Sequence, residues 1–474
     1  MRLGISFAAL GTMLAVSAAA QTPATNGATT VAATPPYSFA SDEMAKALSF
    51  WAQPGRYTVS TPDGYRDKGL WQVRLTVIGS TWIWNYNRAR KAIVPPTQDA
   101  TAANPQQQVW DQWIQSKVDR DRWEAYQVAL QSNTQILGAT VPKPDKTIPV
   151  SEPPKPTPIP ADLLALAGPP PKFAEAVVPM QHRISFDDDT LTYCDKVRLG
   201  NPKYAYYRFA SGVMDEGKAA KTVPPDRIHS LLGLAGLDDS TWRIMASVSG
   251  LEGGFDSINT YDTGFVSAGF IQFACLKEGG GSLGGLMLSY KQDKPDKFES
   301  DFQRFGIDIA PDGKFDVVDP DTGAEYHGPD AALKIIEDKR LIAVFQRAGQ
   351  ISDDFIAEQI KAAKSMFYPA DDTVTFTLNS TPITAKVTDI IRSEAGLATL
   401  MDRKVNTGSL GQFAAILSSV ADQTHATSVA DVAKFEATII NAMKYRASYL
   451  GNPGLGQPDP SPYELHLPFA GGKK

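Results

Sequence analysis

Residues 247–274 read SVSGLEGGFDSINTYDTGFVSAGFIQFA, and this stretch decides what kind of domain the chain builds. Just upstream, Asp239 or Ser240 suits the N-cap of a helix running from Thr241. Met245, Val248 and Glu252 then fall at i, i+3 and i+7, on one helix face. Gly253 and Gly254 mark the expected end of that helix, because glycine takes the left-handed C′ conformation without steric cost. Glu252 is therefore expected in the last turn, on an apolar stripe. Burial and the negative end of the helix dipole both disfavour a charged carboxylate there, so its pKa should rise. A carboxyl still protonated near neutral pH is what a glycosidic oxygen needs as proton donor. The plain alternative is a surface glutamate at a fraying helix end, the commoner fate of an isolated glutamate.

The residues that follow favour the first alternative. Gly253, Gly254, Gly264 and Gly269 allow tight turns and close approach of backbone to a ligand. Asp256, Asn259, Asp262, Ser267 and Gln272 are interleaved with Phe255, Tyr261, Phe265, Phe270 and Phe273. Polar and aromatic groups converging on a cleft suit a sugar, with its apolar faces and hydroxyl edges. Asn259, Tyr261, Ser267, Gly269, Phe270 and Gln272 are thus candidate substrate-binding residues. Asp262 is the best second catalytic carboxylate; in a paired mechanism the carboxyl separation sets the stereochemical outcome, and sequence spacing does not give that separation.

Glu252 followed by Ser267-Ala268-Gly269-Phe270-Ile271-Gln272 resembles the lytic transglycosylase and goose-type lysozyme pattern. There a catalytic glutamate ends a helix and a Gly-Leu-Met-Gln-like run follows. Tyr261 to Ile271 is similar to the segment around the second carboxylate of bacterial chitosanases, and Asp402 to Gly408 to a late helix–loop segment of such domains. All belong to the lysozyme-like superfamily. This chain differs in having Gly253 where lytic transglycosylases usually have Ser, and Asp262 lies closer to the glutamate than the chitosanase carboxylate does. The resemblance implies an α+β fold: a mainly helical lysozyme-like domain with a small β-sheet lining the cleft. It also implies a peptidoglycan or related amino-sugar polymer as substrate, no cofactor, and three outcomes: hydrolysis, intramolecular closure to an anhydro-sugar, or cleavage of chitosan-like polymers. A glycan-binding or scaffold protein that has lost catalysis remains a further reading, since a fold alone never proves activity.

Around this domain the chain divides by composition. Met1-Arg2, the apolar run Ile5 to Val16 and Ser17-Ala18-Ala19-Ala20 read as a signal peptide over 1–20, which predicts an exported, periplasmic or extracellular protein. Residues 21–40, rich in Ala, Thr and Pro, should be flexible. Residues 41–139 hold seven of the eight tryptophans and read as a smaller N-terminal domain. In it Gly69 to Asn85 alternates like strands, and Gln106 to Gln131 has helical spacing. The tryptophans suit either a sugar-stacking platform or a small core, the commoner role of large aromatics. Residues 140–171 form a Pro-rich linker, expected as a semi-rigid spacer. Residues 172–450 are the lysozyme-like domain, and 451–474 a loose tail.

The 474 residues carry a net charge of −6, a poor basis for binding nucleic acid, which needs a basic surface. No later segment is long and apolar enough to span a bilayer. Cys194 and Cys275 are the only cysteines. In an oxidising compartment they would form a disulfide; otherwise they are buried thiols. The five histidines are scattered and no zinc motif occurs, so no metal site is expected. Asp187-Asp188-Asp189 lacks the spacing of a calcium loop and reads as a solvated turn. Gly279-Gly280-Gly281 lacks the Lys of a P-loop and reads as a flexible connection.

Overall fold

A computed structural model describes residues 39–61, 72–93, 104–134, 149, 151–194, 207–465 and 467. The expected signal peptide and nearly all of the segment after it, as well as Trp71, lie outside the described residues. The fold is mixed helix and sheet. No helix among the described residues is long and apolar enough to cross a membrane.

The first elements are α1 (Ser41–Trp51), β1 (Tyr57–Ser60), β2 (Gln72–Leu75), α2 (Val77–Ile93), α3 (Pro105–Thr134), α4 (Ala161–Ala167) and β3 (Ala174–Val177). A small core joins Leu75, Trp82, Ile83, Tyr86, Trp110, Trp113, Ile114, Val118, Leu163 and Phe173. Three of the tryptophans therefore fill a core. The strand reading of 69–85 holds only for β2. From Val77 onward the β-branched and aromatic residues build a helix, because Trp82, Ile83 and Tyr86 at i, i+1 and i+4 all face that core.

The expected boundary after residue 139 is displaced. α1 and β1 belong to the main core, not to a separate N-terminal domain. Phe50 and Trp51 pack into the main core, and the Trp51 indole donates to the Phe305 carbonyl at 2.9 Å. β1 also pairs with β4 (Gln181–Ser185), which pairs in turn with β5 (Thr190–Cys194). The described part of the proline-rich stretch is not a spacer either. The Trp113 indole donates to the Thr157 carbonyl at 2.8 Å, Arg120 reaches the Pro153 carbonyl at 3.0 Å, and Leu163 of α4 is fully buried. Proline carbonyls remain good acceptors, so such a segment can dock without a strand or helix of its own.

The main body continues through β6 (Met214–Asp215), α5 (Pro225–Ala235), α6 (Asp239–Ser249), β7 (Ile258–Asn259), β8 (Ser267–Ala268) and β9 (Phe273–Ala274). These short strands form one antiparallel sheet in the order β6-β7-β8-β9. Next come α7 (Gly281–Asp293), α8 (Pro295–Asp301) and a sheet of β10 (Ile307–Ile309), β11 (Phe315–Val318) and β12 (Glu325–His327). Then follow α9 (Pro329–Glu337), α10 (Lys339–Ile351), α11 (Asp353–Phe367) and the hairpin β13 (Thr373–Leu378) with β14 (Thr381–Lys386). Last are α12 (Val387–Ile390), α13 (Glu394–Thr407), α14 (Phe413–Thr424), α15 (Val429–Ala433) and α16 (Glu436–Met443).

α10 is the axle of this body, buried on all sides from Lys339 to Gly349. Its two arginines survive burial because each is paired with carboxylates, while Lys339 donates to the Ser211 and Ile336 carbonyls. Arg340 grips Asp321 and Asp338, and Arg347 binds Asp188 at 2.9 and 3.0 Å. The triple-aspartate turn is therefore an arginine anchor, since Asp187 also holds Arg56 at 2.5 Å. The triple glycine is not a flexible connection. A Cβ on Gly279 would lie 2.1 Å from the Gly328 carbonyl oxygen, and one on Gly281 2.3 Å from that of Ala274. Finally, the tail after residue 450 is docked rather than loose as far as Tyr463. Leu455 is buried, the Ala395 amide donates to the Gly456 carbonyl at 3.0 Å, and Tyr463 packs edge-on against Phe435.

Candidate active site

α6 is capped by Asp238, whose carboxylate accepts from the Thr241 amide at 2.7 Å, one residue before the expected cap. Its face of Ile244, Met245 and Val248 is buried. The helix stops at Ser249, earlier than expected. The chain then continues as a tight turn in which the Leu251, Glu252 and Gly253 amides donate to the Val248, Ser249 and Ser249 carbonyls at 2.9–3.0 Å. Glu252 thus follows the helix rather than ending it. Gly253 has φ +147°, and a Cβ there would meet Ser257 at 2.6 Å. A Cβ on Gly254 would fall 1.8 Å from the Lys218 carbonyl oxygen. Close approach, not a left-handed cap, is why both positions are glycine.

The Glu252 side chain is only 3% exposed. Its Oε1 lies 2.6 Å from Arg446 Nη2 and accepts a long 3.5 Å hydrogen bond from Asn406 Nδ2. Arg446, in the segment after α16, also grips Asp402 Oδ1 through Nε at 2.9 Å and Nη2 at 2.6 Å. Asp402 and Asn406 stand one turn apart on α13, and Asn406 Nδ2 donates to the Asp402 carbonyl at 2.7 Å. Packing of α13 on α6 brings these groups to Glu252. The Tyr449 side chain, also buried, senses the charges of Asp402, Arg446 and Glu252.

Burial pushes the Glu252 carboxyl up to about 7; the Arg446 guanidinium pulls it down, the Asp402 charge pushes it up and the Asn406 bond pulls it down. Burial is the largest influence because the carboxylate loses its hydration, while Arg446 divides its hydrogen bonds between two acids. Burial works against the Arg446 charge as well, but Glu252 and Asp402 outweigh it and hold the guanidinium ionised. The rise expected for Glu252 is thus present, with desolvation as its cause.

No hydrogen bond joins Asp262 to Glu252 among the described residues. Glu252 joins the β7–β8 hairpin at its Ser257 end, through Gly253, whereas Asp262 sits in the loop closing the other end. There its Oδ1 accepts from the Gly264 amide at 2.8 Å and its Oδ2 from Asn259 Nδ2 at 3.2 Å. Burial pushes the Asp262 carboxyl up to about 6, against the pull of the Gly264 amide, Asn259 and the Arg208 charge. The geometry makes it an organiser of the loop.

Of the six candidate substrate-binding residues, five are buried: Asn259, Tyr261, Ser267, Gly269 and Phe270. Phe270 is fully enclosed beside Phe255 and Trp242, and offers a ligand no surface. Gly269 has φ +83°, and a Cβ there would lie 2.4 Å from Gln359 Oε1, so it serves packing. Gln272 remains half-buried, at the Ser257 end of the hairpin. Its Nε2 donates to Ser257 Oγ at 2.7 Å and to the Gly269 carbonyl at 3.2 Å.

Cys194 and Cys275 are not joined in the expected disulfide. Cys275 is sealed beneath the hairpin, where its sulfur accepts from the Val266 amide at 3.3 Å and burial pushes the thiol up to about 12. Cys194 lies at the end of β5, opposite Gln181 in another sheet. No group of His, Cys, Asp and Glu side chains among the described residues could hold a metal ion.

Beyond Asn406, where α13 gives way to α14, lies a groove of about 420 Å³. Lys404, Asp372, Gly411 and Phe413 are among its walls; Glu252 is not. Arg446 and Asn406 carried no signal in the sequence beyond the Asp402–Gly408 run. Comparison with known protein families, with curated proteins and with solved structures finds no match to this chain.

Proposed function

We propose that this chain is an exported enzyme that cleaves the glycan of peptidoglycan, as a muramidase or lytic transglycosylase, with Glu252 as proton donor. One observation carries the reading: an all but fully buried glutamic acid whose carboxyl is held up to about 7. Such a group keeps its proton near neutral pH and can pass it to a glycosidic oxygen. The short antiparallel β6–β9 sheet, with α6 between β6 and β7 in the chain and a mainly helical body around it, supports a lysozyme-like core. Arg446 must let go of Glu252 as the sugar arrives. It keeps a carboxylate partner when it does, because Asp402 already holds it through two nitrogens. With Asp262 engaged in the hairpin loop, the arrangement fits a single-carboxylate route, in which the substrate's N-acetyl group closes on the sugar.

The test is release of soluble fragments from purified peptidoglycan by the full chain, with mass spectrometry of the products. Glu252→Gln is expected to lower the rate roughly 10²–10⁴-fold, the usual loss on removing a general acid. Equal rates for the two proteins would remove Glu252 from the chemistry. The Arg446–Glu252 ion pair favours one other reading, a wall-binding protein without catalysis. Retention on sacculi with no fragments released, by either protein at any pH, would select it. Parallel assays on chitosan separate the third reading, a chitosanase-like hydrolase.

A further inference from the structure

The arginine that holds Glu252 comes from an irregular segment at the surface. After α16 ends at Met443, residues 444–457 form no helix or strand, and Ser448, Gly451, Gly454 and Gln457 are exposed. Three buried side chains anchor the segment: Arg446, Tyr449 and Leu455. A fourth, Gln457, knits it to itself. Its Nε2 donates to the Asn452, Leu455 and Tyr449 carbonyls at 2.9, 3.0 and 3.3 Å, and its Oε1 accepts from the Gly451 amide at 2.9 Å. Residues 449–457 are therefore built to move as one body.

The attachments at the two ends differ. At the near end Arg446 is fixed to Asp402 twice, by its guanidinium at 2.6 and 2.9 Å and by its backbone amide at 3.3 Å. At the far end the segment rests on Leu455 and on two backbone hydrogen bonds of Gly456, to Glu394 Oε2 and the Ala395 amide at the start of α13. Between them the seated position leaves polar groups unsatisfied. The buried Tyr449 hydroxyl has no hydrogen-bond partner among the described residues. Neither has Oδ1 of Asn406, the residue whose Nδ2 makes the long bond to Glu252. Enclosing such groups disfavours the closed arrangement. Surface segments held by few buried contacts are the ones that open locally.

We propose that residues 447–457 are a flap hinged at Arg446, which shuts the site around Glu252 in the unliganded protein and stays raised while the glycan is bound. This rests on the peptidoglycan reading and adds the regulation of that same site. Seated, the flap keeps Arg446 Nη2 on Glu252. Raised, it leaves Arg446 on Asp402, frees the Glu252 carboxyl, and opens Tyr449 and Asn406 to water and sugar hydroxyls. The fraction of molecules with the flap raised then scales the apparent affinity for glycan.

The test is hydrogen exchange read by mass spectrometry on the full chain, alone and with the tetrasaccharide of two N-acetylglucosaminyl-N-acetylmuramyl units. A ligand resting on a fixed loop slows exchange there. The flap predicts the reverse, faster exchange in residues 447–457 when the tetrasaccharide is added. Leu455→Ala and Gln457→Leu should each speed exchange in these residues without ligand. Each should also lower the KM for glycan release about 3–10-fold with kcat unchanged, because more molecules are open beforehand. Unchanged or slower exchange in residues 447–457 on adding the tetrasaccharide overturns the flap. So does an unchanged or raised KM in a variant whose segment exchanges faster, which would make the segment a structural support. The first measurement needs no variant, so misfolding of either one cannot hide the outcome. The two readings fail separately. Faster exchange with the tetrasaccharide but no fragments released by any of the proteins sinks the cleavage reading alone, whereas glycan release with unchanged or slower exchange sinks the flap alone.

Discussion

Arg446 stands in hydrogen-bond contact with two carboxylates, and this sharing governs how Glu252 titrates. In the fold Glu252 takes up its proton near pH 7, against an ordinary value of 4.5. Between those values the folded state binds more protons than the unfolded chain, so stability falls as pH rises through the window and levels off above it. The shift corresponds to roughly 3 kcal/mol. Asp262, up to about 6 from 3.8, acts in the same direction. Glu252→Gln should abolish the Glu252 part, so its Tm should gain on the wild type steadily from pH 4 to pH 8. Parallel profiles would mean that the carboxyl is not buried as described. The direction of the shift was legible because Glu252 closely follows the apolar Met245 and Val248, although the helix that was expected to carry all three stops at Ser249. Its tuning was not, because Arg446 is far along the chain and joins Glu252 only through tertiary packing.

Among the elements, α10 shows how tightly the hairpin is seated. A Cβ on Gly349 would lie 2.2 Å from the Phe255 carbonyl oxygen. In an exposed helix, glycine to alanine gains about 1 kcal/mol. Here Gly349→Ala should instead cost about 1–3 kcal/mol or more, as overpacking does, with a lower denaturation midpoint. A raised midpoint would show that the hairpin does not rest on α10. The long helix α3 was legible from apolar spacing and the absence of internal Pro and Gly. The helix α2 was not, because Val77, Ile78, Thr81 and Trp82 favour strands locally and only the core contacts of Trp82, Ile83 and Tyr86 override that preference. The hairpin's polar residues misled for a related reason. Asn259, Ser267 and Asp262 sit in a loop-rich stretch that suggests exposure, yet all are buried. Asn259 and Asp262 bond to each other and to the local backbone.

For the molecule as a whole, composition suggested separable parts where the structure ties them together. Proline-rich residues 151–160 run against α3, and the segment after Leu450 is held by Glu394, whose carboxylate accepts from the Gly456 amide at 2.8 Å. Deleting residues 451–474 should therefore lower the Tm by several degrees, with loss of the Leu455 and Tyr463 contacts; an unchanged Tm would restore the loose tail. Composition detects low apolar content but not the hydrogen bonds and isolated anchors that pin such segments.

The bond from Trp51 to Phe305 spans 254 residues. At a ribosomal pace of about 5–20 residues per second, the first helix waits roughly 13–50 s for the aromatic pocket that receives it. Through that interval Phe50 and Trp51 stand bare, and a holdase binding there would keep the nascent chain from closing its body.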